Sequence, residues 1–153
     1  MDLVIPTSLQ REHEALHEEL RRATQADGEV GEAASALARL MHPHFVKEDQ
    51  IALPPLGLLA ALARGEVSTA MAEVLTLTDR LEAELPAMLQ EHQAIIGALQ
   101  RLHEAATRAG RADIVDFGRR LMDHARTEEE VMYPAAVLVG RYVRLRLGPT
   151  PQR

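Results

Sequence analysis

The sequence contains no cysteine and no tryptophan, and it has only two phenylalanines and two tyrosines among 153 residues. Without cysteine the chain has no disulfide, no thiolate nucleophile, and no thiolate ligand for zinc or an iron–sulfur cluster. Its strong metal ligands are therefore limited to carboxylates and the seven histidines. A net charge of -6 without a basic cluster argues against a nucleic-acid partner.

The sequence also lacks a long apolar run. Its longest uncharged stretch, residues 51–63, spans 13 residues and contains two prolines, whereas a membrane-spanning helix needs about 20 apolar residues. The first residues, MDLVIP, have neither the positive segment nor the unbroken apolar segment of a secretion signal. We therefore expect no membrane partner and a cytoplasmic location.

Alanine, leucine, glutamate and arginine dominate the sequence, which favours helix, and 46% apolar residues suffice for one core. We expect a single domain over residues 1–153. Apolar residues recur at helical spacing in four segments. These are helix A from Thr7 or Ser8 to a stop at Gly28, helix B over residues 37–51 with a kink or late start at Pro43, helix C over residues 85–110 with Pro86 in its first turn, and helix D over residues 114–134.

One half of the sequence resembles the other. Residues 11–16 (REHEAL) resemble residues 90–95 (QEHQAI), and residues 44–54 resemble residues 124–134, since both carry His-x-x-x-Glu followed by a proline. The sequence thus predicts an all-α protein, an antiparallel four-helix bundle built from two repeated helical hairpins. Short extra helices are expected in the link between helices B and C (residues 56–64 and 69–84), with a last helix or frayed end at residues 135–147.

Six polar residues of the repeat lie within the apolar stripes of the helices. They are His13, His44, Glu48, His92, His124 and Glu128. An ionised carboxylate in a core costs several kcal/mol unless it is paired or ligated. Residues four apart lie on one helix face, so each His-x-x-x-Glu motif can bind one ion through histidine and bridge two through glutamate. This pattern predicts a polynuclear site for iron, manganese or zinc, with a purely structural polar network as the alternative.

On these residues the sequence resembles the hemerythrin-like proteins of the His-His-Glu (HHE) cation-binding family, from His13 to Pro134. The resemblance implies a non-haem di-iron centre held by those six residues, with two ions joined by an oxo or hydroxo bridge. It implies a small-molecule ligand such as dioxygen, nitric oxide or peroxide. A metal- or redox-dependent sensor that acts through a protein partner is the alternative, although we expect no appended effector domain.

Two departures from the oxygen-carrying hemerythrins concern the ligand set. Those proteins have His-x-x-x-His on the third helix, where this sequence has Ile96 at the second position. Their last ligand is an aspartate, whereas here it is Glu128 or Glu129. A second histidine lies instead on helix A, where His17 follows His13 by four residues. His17 is therefore a candidate fifth imidazole ligand, with a place on the bundle wall as the alternative.

Two other motifs on helix A favour different metal sites. Residues 13–17 match the H-E-x-x-H motif of zinc metalloproteases, but the repeat reproduces neither Glu14 nor His17. The Glu-x-x-His motif of ferritin-like centres is also present there, yet such centres need it on two helices. We expect His42 to face solvent and His103 to lie at the end of the bundle.

Overall fold

Four long helices carry the apolar stripes in the computed structural model, which describes residues 1–148. They are α1 (Thr7–Ala23), α2 (Gly28–Lys47), α4 (Val74–Arg108) and α5 (Ala112–Thr127). The link between α2 and α4 contains 3-10 turns at Pro54–Leu58 and Thr69–Glu73 and the short helix α3 (Leu59–Ala63). A last helix, α6 (Tyr133–Leu147), follows α5, and residues 1–148 contain no strand.

The long helices form a four-helix bundle in which α1, α2, α4 and α5 each contact two of the others in a closed ring. Two apolar clusters fill it. One includes Leu16, Phe45 and Ile95, and the other includes Ile51 and Met88. Helix α2 runs from the first cluster toward the second and α4 runs the opposite way, so neighbouring helices are antiparallel. The all-α bundle predicted from the sequence is confirmed.

Two π-helical turns occur at equivalent places in the two hairpins. The first, Glu48–Ala52, follows α2, and the second, Glu128–Met132, follows α5. Each begins at the glutamate of a His-x-x-x-Glu motif. In the first, the Leu53 N–H donates a 2.9 Å hydrogen bond to the Glu48 carbonyl, five residues earlier. Because π turns are rare and often mark functional sites, their matched positions indicate that the hairpins repeat one plan down to the backbone.

The predicted boundary of helix C was wrong. Helix α4 begins at Val74 and runs through Pro86, which lies in its interior and not in its first turn. An interior proline costs about 3 kcal/mol because it removes a hydrogen bond and clashes with the preceding turn. Burial of Val74, Thr78 and Leu81, together with contact between α4 and α6, explains why the helix continues upstream.

Helix α2 is also longer than predicted. It begins at Gly28, which has a φ of +65°, and it continues through Pro43 without a delayed start. Helix α1 already ends at Ala23, so Gly28 opens the second helix and does not itself stop the first. The predicted tail segment is the regular helix α6.

Within residues 1–148 no helix is long and apolar enough to cross a membrane. The single domain was predicted over residues 1–153, and residues 149–153 of that range lie outside the described part of the chain.

Candidate metal centre

The six polar residues singled out by the repeat are all buried, with at most 6% of their surface exposed. In each long helix they lie between the segment that packs into one apolar cluster and the segment that packs into the other. They form two groups of possible metal ligands that share Glu128, and within each group the donor atoms lie within 4.8 Å of one another. The groups are His44, Glu48, His92 and Glu128, and His13, His124 and Glu128.

The first group brings both hairpins together. The Nε2 atoms of His44 and His92 lie 2.8 Å apart. Glu48 Oε1 lies 3.1 Å from His44 Nε2, and Glu128 Oε2 lies 3.0 Å from His92 Nε2. Four donor atoms therefore surround one small volume.

The second group receives the other oxygen of each carboxylate. Glu128 Oε1 contacts His124 Nε2 and lies 3.7 Å from His13 Nε2. Glu48 Oε2 lies 3.6 Å from His13 Nε2. Since Glu48 and Glu128 each present one oxygen to each group, both carboxylates have the orientation of bridging ligands.

A ring of outer carboxylates holds the far side of the imidazoles. Three of the four histidines have Nδ1 within hydrogen-bond distance of a carboxylate, and for the fourth the separation is 3.6 Å. The pairs are His44–Glu91 (2.6 Å), His92–Glu129 (2.8 Å), His124–Glu12 (2.8 Å) and His13–Asp49 (3.6 Å). This arrangement of carboxylate, histidine and inward nitrogen is the one that orients imidazoles toward a metal ion.

The outer carboxylates also decide which ring nitrogen carries the proton. An ionised carboxylate only accepts hydrogen bonds, so the Nδ1 atom of His44 donates to Glu91, and that of His92 donates to Glu129. In the neutral rings both Nε2 atoms then present lone pairs to each other across 2.8 Å. A cation between them removes that repulsion, so the donor set fits a metal ion.

Unpartnered buried atoms support the same fit. Both ring nitrogens of His13 and Oε2 of Glu48 are buried without a hydrogen-bond partner. Each such atom costs about 1–3 kcal/mol when nothing satisfies it. The inward atoms among them are Nε2 of His13, which belongs to the second group, and Oε2 of Glu48, which lies 3.6 Å from it. A cation bound at the second group would satisfy both.

Charge in the metal-free cluster is shared among carboxylates and imidazoles. Burial opposes protonation of His44, but hydrogen bonds with Glu128, Glu48 and Glu91 outweigh it and raise its pKa to about 10. The same competition, with Glu128 and Glu12 as the acceptors, raises the pKa of His124 to about 9. Without metal, protons on these rings neutralise the buried carboxylates.

The two buried carboxylates respond in opposite directions. Burial and the charge of Glu128 raise the pKa of Glu48. Burial acts the same way on Glu128, but hydrogen bonds from His124, His13, His44 and His92 hold its pKa well below the usual range. Glu128 is therefore the carboxylate around which the centre is organised.

The structure does not bring His17 to the centre. Its side chain is exposed, and its ring packs 5.3 Å from the ring of Phe45 and 5.9 Å from that of His42. Phe45 fills the interior at this level of the bundle, so His17 lies on the outer side of that ring. The expectation that His17 contributes a fifth imidazole is thus corrected. His42 is exposed, as predicted, and His103 is exposed in the last turns of α4, which ends at Arg108.

Glu129 is likewise not among the inward ligands, since its carboxylate accepts from His92 Nδ1. The sequence contained a signal for the outer carboxylates that the prediction did not use. Glu12 and Glu91 directly precede the histidines of α1 and α4, and Asp49 and Glu129 directly follow the bridging glutamates. The acids thus repeat with the same spacing as the ligands.

Tyr133 is the inward polar residue that the prediction missed. Its hydroxyl donates to Glu48 Oε1 and to Glu128 Oε2, the latter at 3.0 Å, and lies 3.3 Å from Nε2 of both His44 and His92. Burial and the two carboxylate charges raise the pKa of Tyr133 far above its usual range. The phenol therefore keeps its proton in the metal-free protein.

A surface depression of about 320 Å³ lies between α1 and α5. Its lining includes His124, Glu12, Leu16 and Thr127. His124 is the one residue of the two groups that lines it, and Glu12 is the partner of the outer Nδ1 atom of that ring.

Comparison with known proteins gives one family. The sequence model described as the Hemerythrin HHE cation binding domain matches residues 5–136. That range contains every residue of both ligand groups and both π turns. No curated protein and no solved structure gives a significant match.

Proposed function

The chain belongs to the hemerythrin HHE cation-binding family and is a metal-binding helical domain, and on that basis we propose that it holds a pair of iron ions that bind or react with a small oxidant. Dioxygen, nitric oxide and peroxide are the proposed ligands. The observation that carries the proposal is the orientation of Glu48 and Glu128, each with one oxygen toward each histidine pair.

In this proposal one ion is held by His44 and His92 and the other by His13 and His124, with Glu48 and Glu128 between them. Imidazole and carboxylate without thiolate are ligands that suit iron. A bound iron pair supplies reversible electron transfer to a small oxidant. Two histidines per ion leave coordination positions that the six predicted ligands do not fill.

The remaining residues of the centre orient and shield these ligands. Glu91, Glu129 and Glu12 hold the Nδ1 protons of three imidazoles, which directs their Nε2 atoms inward. Apolar residues that are less than 5% exposed, among them Phe45 and Met88, close the bundle on both sides of the ligands. The surface depression lined by His124 lies beside this packing, between α1 and α5.

The unpartnered buried atoms support a second function for the same centre. Metal binding to the folded state stabilises it, because the ligands converge only after folding. A partner that distinguishes the metal-bound from the metal-free bundle would make the domain a metal or redox sensor. Steady-state consumption of peroxide or nitric oxide favours the reactive function, and metal-dependent binding of a protein favours the sensor.

The first experiment is metal analysis of the purified, air-exposed protein, with its optical spectrum before and after anaerobic reduction and re-oxygenation. Two irons per chain and an oxygen-dependent charge-transfer band are expected. The exposed-histidine variant His103→Ala is the control, because this side chain lies outside both groups. Zinc alone, or no metal after reconstitution with iron, would contradict the proposed oxygen chemistry.

A further inference from the structure

The Tyr133 hydroxyl breaks the twofold repeat of the centre. The two hairpins contribute matching histidines, matching glutamates and matching outer acids, but the residue before the terminal proline differs. It is Tyr133 in the second hairpin and Leu53 in the first, 80 residues earlier. Both side chains are almost completely buried. The repeat therefore has a phenol beside the His44–His92 pair and an aliphatic side chain at the equivalent position of the other hairpin.

Distances within the first group match the edges of an octahedron. When a six-coordinate ion has bonds of about 2.1 Å, adjacent donor atoms lie about 3.0 Å apart and opposite ones about 4.2 Å apart. The observed edges are 2.8 Å (His44–His92), 3.1 Å (His44–Glu48) and 3.0 Å (His92–Glu128). The diagonal from His44 Nε2 to Glu128 Oε2 is 3.8 Å. Three edges and one diagonal among the four atoms therefore have lengths close to those around one six-coordinate ion.

The Tyr133 oxygen lies beside all four of these atoms. It lies 3.3 Å from the Nε2 atoms of His44 and His92, 3.0 Å from Glu128 Oε2, and in contact with Glu48 Oε1. An atom adjacent to all four donor atoms holds the position of a fifth ligand. A hydrogen bond to one carboxylate does not require the hydroxyl to lie 3.3 Å from two imidazole nitrogens as well.

We propose that Tyr133 is a fifth protein ligand of the ion held by His44 and His92, and that the ion held by His13 and His124 has no counterpart to it. This inference rests on the proposed function, since it requires metal at both groups. It makes the two ions unequal. The His44–His92 ion has five protein donors, whereas the His13–His124 ion has two imidazoles and two carboxylate oxygens.

The inequality predicts where a small molecule binds. Leu53 offers no donor atom, so the ion on the His13–His124 side keeps its open positions. The surface depression lined by His124 lies next to that same histidine pair. The missing donor, together with this neighbouring depression, favours the His13–His124 ion as the reactive one.

Ligation changes the protonation of Tyr133. The phenol O–H bond breaks, the oxygen lone pair forms the bond to the ion, and the proton passes to the buffer, as in other ligands that are deprotonated on metal binding. The hydrogen bonds that the hydroxyl now donates to Glu48 and Glu128 are lost, and both carboxylates are freed to bridge. The positive charge of the ion compensates the phenolate.

The chain offers a matched test because it has only two tyrosines. Tyr142 lies in α6, is part-buried and touches neither ligand group. Metal-free wild type, Tyr133→Phe and Tyr142→Phe are titrated with Zn²⁺ and, separately, with Fe²⁺ followed by air. Bound metal is counted, tyrosinate is measured by ultraviolet difference absorption, and the iron samples are examined for phenolate ring modes by resonance Raman spectroscopy.

We expect one tyrosinate per chain on metal binding in wild type and in Tyr142→Phe, and none in Tyr133→Phe. Full metal occupancy of wild type without a tyrosinate signal overturns this inference and leaves the proposed function standing. A signal that disappears in Tyr142→Phe overturns it as well, even if Tyr133→Phe fails to fold. Zinc binding with the signal but no iron binding supports the ligand and contradicts the iron proposal, and no metal binding overturns both.

Discussion

The Oε2 atom of Glu91 lies 2.6 Å from the Nδ1 atom of His44, on the side of the imidazole that faces away from the centre. The other oxygen of Glu91 lies 2.5 Å from Nζ of Lys47, the single lysine of the chain. Lys47 therefore fixes the carboxylate, the carboxylate fixes the ring, and the ring directs Nε2 inward. This chain of contacts joins a part-buried surface ion pair to a buried ligand.

Glu91→Gln tests that chain of contacts. The amide is close to the carboxylate in shape but is uncharged, so it holds the Nδ1 proton of His44 less strongly. Metal affinity should fall by about 10- to 100-fold, as it does when other groups that hydrogen-bond a metal-binding histidine are removed. Competition with a chelator measures the affinity. Glu82→Gln is the control, because Glu82 pairs with Arg141 at the exposed surface, and equal affinities in both variants would contradict the role of Glu91.

Alanine variants separate the ligands from the neighbouring histidine on α1. His124→Ala and Glu48→Ala should each release at least one ion and lower the melting temperature, because ligation stabilises the folded state. His17→Ala should keep both ions, since the His17 side chain is exposed and packs against Phe45. Metal content per chain, measured after gel filtration, decides the point. Loss of an ion in His17→Ala would return His17 to the ligand set.

The sequence was sufficient to predict the bundle and the six inward polar residues because both signals repeat. A single His-x-x-x-Glu motif is common on exposed helices, whereas two copies with the same spacing and the same terminal proline are not. The structure buries both copies, at His44 and Glu48 and at His124 and Glu128. The repeat thus distinguishes these buried motifs from an exposed one, which a single copy does not.

What the sequence did not predict depends on packing that has no local signature. Pro86 favours a helix start, and the sequence predicts one at residue 85. Contacts between α4 and α6 instead extend the helix upstream to Val74. Tyr133 resembles a core aromatic in the sequence, and only the fold places its hydroxyl among four ligand atoms. His17 has the spacing of a ligand, yet Phe45 occupies the interior at its level.

The pH dependence of the metal-free protein follows from the raised pKa values of three buried histidines, His44, His92 and His124. The pKa is about 10 for His44 and about 9 for His124 in the folded protein, against about 6.5 in the unfolded chain. A raised folded-state pKa stabilises the protein fully below the unfolded value, and this stabilisation is lost as pH rises through the folded values. The free energy of unfolding should therefore fall between about pH 6.5 and pH 10.

Denaturant unfolding in the presence of a chelator, repeated across this pH range, measures the effect. His124→Gln removes one of these titrating rings and should flatten the curve between about pH 6.5 and pH 9, since the pKa of His124 is about 9 in the folded protein. Metal affinity should change in the opposite direction and increase with pH, because imidazoles bind metal only when deprotonated. A metal-free protein whose stability increases from pH 6.5 to pH 10 would contradict the assigned charges.

A glycine at the contact between α4 and α6 tests how Tyr133 is held in place. A methyl group added at Gly140 would lie 2.1 Å from Thr78 Oγ1 and 2.6 Å from Thr78 Cβ. Helix α6 begins at Tyr133, so Gly140→Ala pushes the helix that carries the phenol away from α4. Overpacking of this kind costs about 1–3 kcal/mol of stability.

Gly97→Ala is the matched control inside α4, where the nearest atom to the added methyl is 3.9 Å away, on Arg101. That variant should be more stable than wild type by about 0.5–1 kcal/mol, because alanine is the better helix former. Denaturant unfolding of the metal-free proteins compares the two, and equal stability of Gly140→Ala and wild type would mean that α6 is free to shift relative to α4.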